Sequence, residues 1–140
     1  MYIITAVDDG GGMLFNHRRQ SRDRIMNEKI LSITKGHLLW MNKYSYALFE
    51  PLAADGDIWV DDDFLSQAGK GDYCFVEDNH VQSYLDKIEG IFLFRWNRRY
   101  PGDFFIDLDF KDPVWKLAYT EEFEGSSHDK ITMEVYKKET

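Results

Sequence analysis

A chain of 140 residues with 44% hydrophobic and 16% aromatic content is long enough for one domain with a buried core and too apolar to be disordered. A formal charge of −8 argues against a general nucleic-acid coat, and the longest apolar stretches, such as "GIFLF", are far short of a membrane span. One cysteine, Cys74, permits no internal disulfide.

Taken in chain order, "YIITAV" (2–7) is a continuous apolar run and predicts a buried strand. Residues 8–20, with glycines at 10–12, read as a loop. "SRDRIMNEKILSIT" (21–34) predicts a helix with Ser21 as N-cap and Met26, Ile30 and Ile33 on one face. "GHLLWMN" predicts a second buried strand, and "KYSYALFEPL" a short helix ended by Pro51. "DIWVDD" and "DYCFVED" predict two further strands, each followed by a helix-like piece (63–68 and 79–87). "GIFLFRW" (90–96) is the fifth strand. "WKLAYTEEFE" and "KITMEVYKK" then alternate apolar and polar residues about the turn "GSSHD". Strands alternating with helices, then an antiparallel pair, predict an α/β sandwich with a mainly parallel sheet. The N-terminus "MYIITAVDD" lacks the basic start and small-residue cleavage site of a signal peptide. The expectation is a cytoplasmic protein of one domain spanning 1–140, without membrane association and of open oligomeric state.

Several chemistries lack their residues. "DGGGM" is neither GxGxxG nor a P-loop. The four histidines (17, 37, 80, 128) never take HxH or HExxH spacing, which argues against zinc. "DDD" at 61–63 is better read as a solvated turn than as a cation site.

The C-terminal "YPGDFFIDLDFKDPVWKLAYTEEFEGSSHDKITMEVYKK" resembles the ending of the dihydrofolate reductases: a Gly-Asp turn, Phe, a short acidic loop, a Trp strand and a final hairpin. The N-terminus is similar too, with a first strand, a glycine-bearing loop, "MLFN" for an aromatic-Asn pair, and a helix. The resemblance implies a dihydrofolate reductase-like three-layer sandwich, with a mainly parallel central sheet and an antiparallel C-terminal hairpin. It also implies that the first strand lies between "DYCFV" and "GIFLFRW". The chain departs from the family's chemistry at several points. By counting from Phe15, Gln20 stands where the family has a buried carboxylate, and Asp23 is the nearest acid. Val76-Glu77-Asp78 replaces the Gly-Gly pair that lets the cofactor approach. Only Lys43 survives where a basic phosphate-binding residue follows the second strand, and Phe94 replaces a hydroxyl on the fifth strand. These departures point away from dihydrofolate reduction, away from NADPH and toward no bound cofactor.

In this topology "NHRRQSRDR" (16–24) and "RWNRR" (95–99) leave the sheet at the same edge, where open α/β sheets bind ligands. Arg18, Arg19, Arg22, Arg95, Arg98 and Arg99, six of the seven arginines, therefore converge there, with Asn16, His17 and Trp96 beside them. Guanidinium forks suit two-point binding of phosphate or carboxylate. The bland alternative pairs the same arginines with Asp8, Asp9, Glu77 and Asp78. Three functional readings follow. The first is a non-reductase that binds a small anionic ligand of phosphate or nucleotide type at this edge. The second is a divergent NADPH-dependent reductase of a pterin-like substrate. The third is an RNA- or protein-interaction module, of which nucleic-acid binding is the less expected form given the acidic balance.

Overall fold

The computed structural model describes residues 1–52 and 57–139. In chain order the elements are β1 (Tyr2–Val7), β2 (Gly12–Phe15), β3 (Arg18–Arg19), α1 (Arg24–Ile33), β4 (Leu39–Met41), α2 (Lys43–Phe49) and β5 (Ile58–Val60). They continue with α3 (Phe64–Gln67), β6 (Tyr73–Phe75), a 3-10 helix (Gln82–Lys87), β7 (Gly90–Arg95), β8 (Phe104–Phe105), β9 (Trp115–Phe123) and β10 (Ile131–Lys138).

β1 is apolar on both faces, so it is stable only where both faces are covered. It takes that place: the main sheet runs β5-β4-β6-β1-β7-β10-β9. β1 pairs in parallel with β6 and β7, and β4 pairs in parallel with β5 and β6. β10 runs antiparallel to both β7 and β9, which leaves the C-terminal hairpin at one edge, as expected. Side chains alternate across β1. Ile3 and Val7 join Ile91, Leu93 and the α3 residues Phe64 and Leu65 in one core cluster. Ile4 joins Phe75, Phe94, Met26 and Ile30 of α1, and Leu48 and Phe49 of α2 in the other. Helices thus cover both faces of a mainly parallel sheet, the three-layer α/β sandwich expected.

Two local expectations are corrected. Residues 8–20 are not a plain loop, because β2 and β3 form a hairpin and β2 also pairs with β8 in a second, three-stranded sheet. Its turn is Asn16-His17, with φ of 55° and 64°. A two-residue hairpin turn of this hand needs positive φ at both positions, which Asn tolerates well and His less so. α1 begins at Arg24, not near Ser21, because the N-cap is Asp23, whose carboxylate accepts the Met26 N–H at 3.0 Å. The helix-like pieces expected at 63–68 and 79–87 are the four-residue α3 and the 3-10 helix. α2 starts as its sequence implies, with the Asn42 side chain accepting the Ser45 N–H.

Candidate ligand site at the sheet edge

Asp8 follows β1 and organises the edge. It is buried, and its Oδ1 accepts the N–H groups of Gly10 and Gly12 at 2.9 and 2.7 Å. Its Oδ2 accepts the Tyr100 N–H at 3.1 Å and Gln20 Nε2 at 3.4 Å. A Cβ on Gly12 would stand 2.7 Å from Gln20 Nε2 and 3.0 Å from Asp8 Oδ1, so a side chain there would displace the Gln20 amide. Gln20 Nε2 also donates to the Pro101 carbonyl, and Asp103 accepts the Asn16 N–H with both carboxylate oxygens. The Asp9 N–H donates to the Arg98 carbonyl. Residues 16–20 and 98–103, remote in sequence, are therefore joined by side chain-to-backbone hydrogen bonds.

The arginines divide into two groups. Arg19 lies on β3 rather than at a helix N-terminus, and its Nε and Nη2 grip the two Glu77 oxygens at 2.9 and 3.1 Å. The Tyr44 ring lies 4.2 Å beneath the guanidinium, the Tyr44 hydroxyl accepts the Arg19 N–H, and Ser45 Oγ donates to Glu77. Arg95 is removed from the expected cluster. It shares a sheet face with Ile91 and Leu93, and its Nε donates to Glu134 on β10 at 2.7 Å. Arg18, Arg22, Arg98 and Arg99 are exposed and form no ion pair among the described residues. Asn16 and His17 are exposed at the hairpin tip. Trp96 offers no platform for a ligand, because it is 4% exposed and its ring stacks on His128 at 4.6 Å. Of the acids expected to pair with the arginines, Glu77 does so. Asp8 serves the loop as described, and Asp78 accepts from Asn42 Nδ2 at 2.7 Å.

Behind the Arg19–Glu77 pair, the space between α1 and the sheet is nearly filled. A cavity of about 10 Å³, bordered by Ala6, Met13, Met26, Asn27, Leu48, Phe75 and Trp96, has room for about one water. In front of the pair is an open depression of about 470 Å³ lined by Phe15, Asn16, Arg18, Arg19, Gln20, Tyr100 and Pro101. A neighbouring one of about 390 Å³ is lined by Leu14, His17, Asp78, Asp103 and Phe104. The first presents cations and apolar surface, and the second presents two carboxylates.

One polar cluster escapes the sequence reading. The Asp23 carboxylate accepts the Ser127 N–H at 2.7 Å and the Ser127 hydroxyl at 2.9 Å besides capping α1. Burial raises its pKa, but N–H donors from Ser127, Ser126 and Met26 outweigh that and hold it well below the usual carboxylate range. A Cβ on Gly125 would collide with this carboxylate. His128, 5% exposed, has Nδ1 2.8 Å from Ser127 Oγ and Nε2 2.7 Å from the Tyr100 hydroxyl. Ser21 Oγ lies 3.5 Å from the same Nε2. Burial lowers the His128 pKa, Asp23 opposes that, and Arg98 adds to it. The only sequence signal was a Ser-His pair two residues after a glycine, inside a turn.

No protein-family model matches the chain, and no curated protein matches it in sequence. Solved structures do match its fold. One is a dihydrofolate reductase from Enterococcus faecalis complexed with NADP(H) and RAB-propyl, with a TM-score of 0.68 over 99% of this chain and 96% of that one. The two are 13% identical, so the likeness is one of fold: the chain has a dihydrofolate reductase-like α/β architecture.

Proposed function

We propose that the protein is a non-reductase of dihydrofolate reductase-like fold that binds a small anionic ligand, of phosphate or nucleotide type, in the depression between residues 15–20 and 100–101. The observation that carries this reading is Arg18. Its exposed guanidinium lines an open depression beside Phe15 and Tyr100, with no carboxylate partner among the described residues. A volume of about 470 Å³ lies within the range of small-ligand pockets. Arg22, Arg98 and Arg99 add positive charge nearby in sequence, whereas the adjoining depression carries Asp78 and Asp103 and repels anions.

Two features support the absence of reductase chemistry. The space beside α1 has room for about one water, with Met26 and Phe75 fully buried against it, so a pterin has no place to lie. At the end of β6 the residues do not fit a dinucleotide: Glu77 and Asp78 set two carboxylates where a pyrophosphate would approach, and Glu77 is held there by Arg19.

Thermal unfolding with and without inorganic phosphate or a nucleoside monophosphate tests the reading. The expected result is a ligand-dependent rise in Tm that Arg18→Ala removes while the unliganded Tm stays the same. No rise with either probe, or a rise unchanged in Arg18→Ala, overturns it.

A further inference from the structure

We propose that the Tyr100 hydroxyl is the group that meets the ligand in the depression, and that His128 decides whether it donates or accepts a hydrogen bond there. This rests on the anion-binding reading above and adds its proton dependence.

The hydrogen-bond geometry around Ser127 fixes the argument. Ser127 Oγ lies 2.7 Å from the Arg22 carbonyl, 2.9 Å from Asp23 Oδ2 and 2.8 Å from His128 Nδ1. The first two are acceptors only, and the hydroxyl has one proton, which goes to the charged acceptor, Asp23. The His128 contact is then closed by a proton on Nδ1. A neutral His128 carries no second proton, which makes Nε2 an acceptor and makes Tyr100, at 2.7 Å, the donor to it. In this state the Tyr100 proton points inward and the phenol oxygen can only accept from anything in the depression that Tyr100 lines. An anion, which offers acceptors alone, is disfavoured. When His128 is charged, both ring nitrogens donate. Nε2–H then points at the Tyr100 oxygen, and the phenol proton turns outward toward the depression. The same residue becomes a donor suited to an anion.

The charges facing His128 are known from each neighbouring element. Asp23 at the α1 N-terminus favours its charged form, as does Asp129 on its own turn, and Arg98 after β7 opposes it. Trp96 covers one ring face, and Ser21 adds a hydroxyl beside Nε2. A bound anion near Arg18 shifts this balance toward the charged form, so binding draws in a proton.

Sulfate is the right probe, because its charge is constant between pH 5 and 8. Calorimetric titration with sulfate across that range, in two buffers of different ionisation enthalpy, reads both affinity and proton uptake. The His128 ring is followed by NMR in the same samples. The expected result is tighter binding as pH falls, by up to about tenfold per pH unit through the His128 titration, with net proton uptake and an upward shift of the His128 midpoint on binding. Tyr100→Phe keeps the ring and should bind sulfate more weakly, with the pH dependence gone. His128→Gln should likewise bind without pH dependence. If sulfate binds and Arg18→Ala abolishes it, yet affinity is flat with pH or its pH dependence persists in Tyr100→Phe, the relay is wrong and the anion site stands. If sulfate binds at no pH, the anion site itself is wrong, and the relay falls with it.

Discussion

Ser127 gives both its backbone N–H and its hydroxyl to Asp23, at 2.7 and 2.9 Å across 104 residues of sequence. The cap of the first helix is thus completed by the turn of the last hairpin. Asp23→Ala should cost about 1–2 kcal/mol for the lost cap, with about 1–3 kcal/mol more for the buried donor left unpaired. Ser127→Ala keeps the N–H and should cost less. Urea unfolding of the two variants checks the order, and equal costs would mean that the backbone donor contributes nothing.

The same carboxylate makes a pH prediction with a definite sign. Its pKa is lower in the folded chain than in the unfolded one, so it stabilises the fold above the ordinary carboxylate range, about pH 4. That contribution disappears as pH falls through the folded value. The stability gap between the wild type and Asp23→Asn should be largest near neutrality and should shrink steadily below about pH 4. A gap constant from pH 7 to pH 2 would contradict the ionised cap.

Arg19 and Glu77 form a two-point ion pair, with side chains 20% and 10% exposed, that joins β3 to the end of β6, the guanidinium stacked over the Tyr44 ring. Pairs so shielded couple more strongly than surface ion pairs. A double-mutant cycle with Arg19→Ala and Glu77→Ala should give a coupling of about 1–3 kcal/mol. Both single variants should lose stability whether or not phosphate is added, which separates Arg19 from Arg18. A coupling near zero would remove the pair from the account of the edge.

Purified protein should show no NADPH-dependent reduction of dihydrofolate above background. The basis is the carboxylate pair at Glu77 and Asp78 and the nearly filled space beside Met26. Saturable NADPH oxidation with this substrate, lost on substitution of Ala6 or Phe75 by bulkier residues, would reverse the conclusion.

Cys74 sits fully buried in β6, and burial pushes its thiol up to about 12. It should resist a thiol reagent at pH 8 in the folded protein and react promptly in denaturant. Fast labelling of the native state would show that β6 opens readily.

Elements whose residues agree with their surroundings were legible in the sequence. β1 and β7 are apolar on both faces, so their central place follows from composition alone. The alternation in β10 is matched by alternating burial, whereas β9, the edge strand, is exposed or only partly buried beyond Trp115. Elements decided by distant partners were not legible. Ser21 and Asp23 are both good caps, and the choice falls to Ser127. Asn16-His17 is an unusual hairpin turn, held in place by Asp103 from the far side of the edge. The site divides in the same way. The backbone meeting of residues 16–20 with 98–103 follows the topology, whereas no spacing links Arg95 to Glu134 or Tyr100 to His128.

The position of β1 also has a consequence during synthesis. Tyr2 pairs with Tyr73 on one side and with Gly90 on the other, so β1 is completed only by strands made much later. At about 5–20 residues per second, the nascent chain carries this strand unpaired for on the order of ten seconds. Throughout that interval "YIITAV" has no charge to discourage association with other chains. A ribosome-bound fragment ending before residue 90 should therefore bind a holdase chaperone through residues 2–7, and release should follow once β7 has emerged.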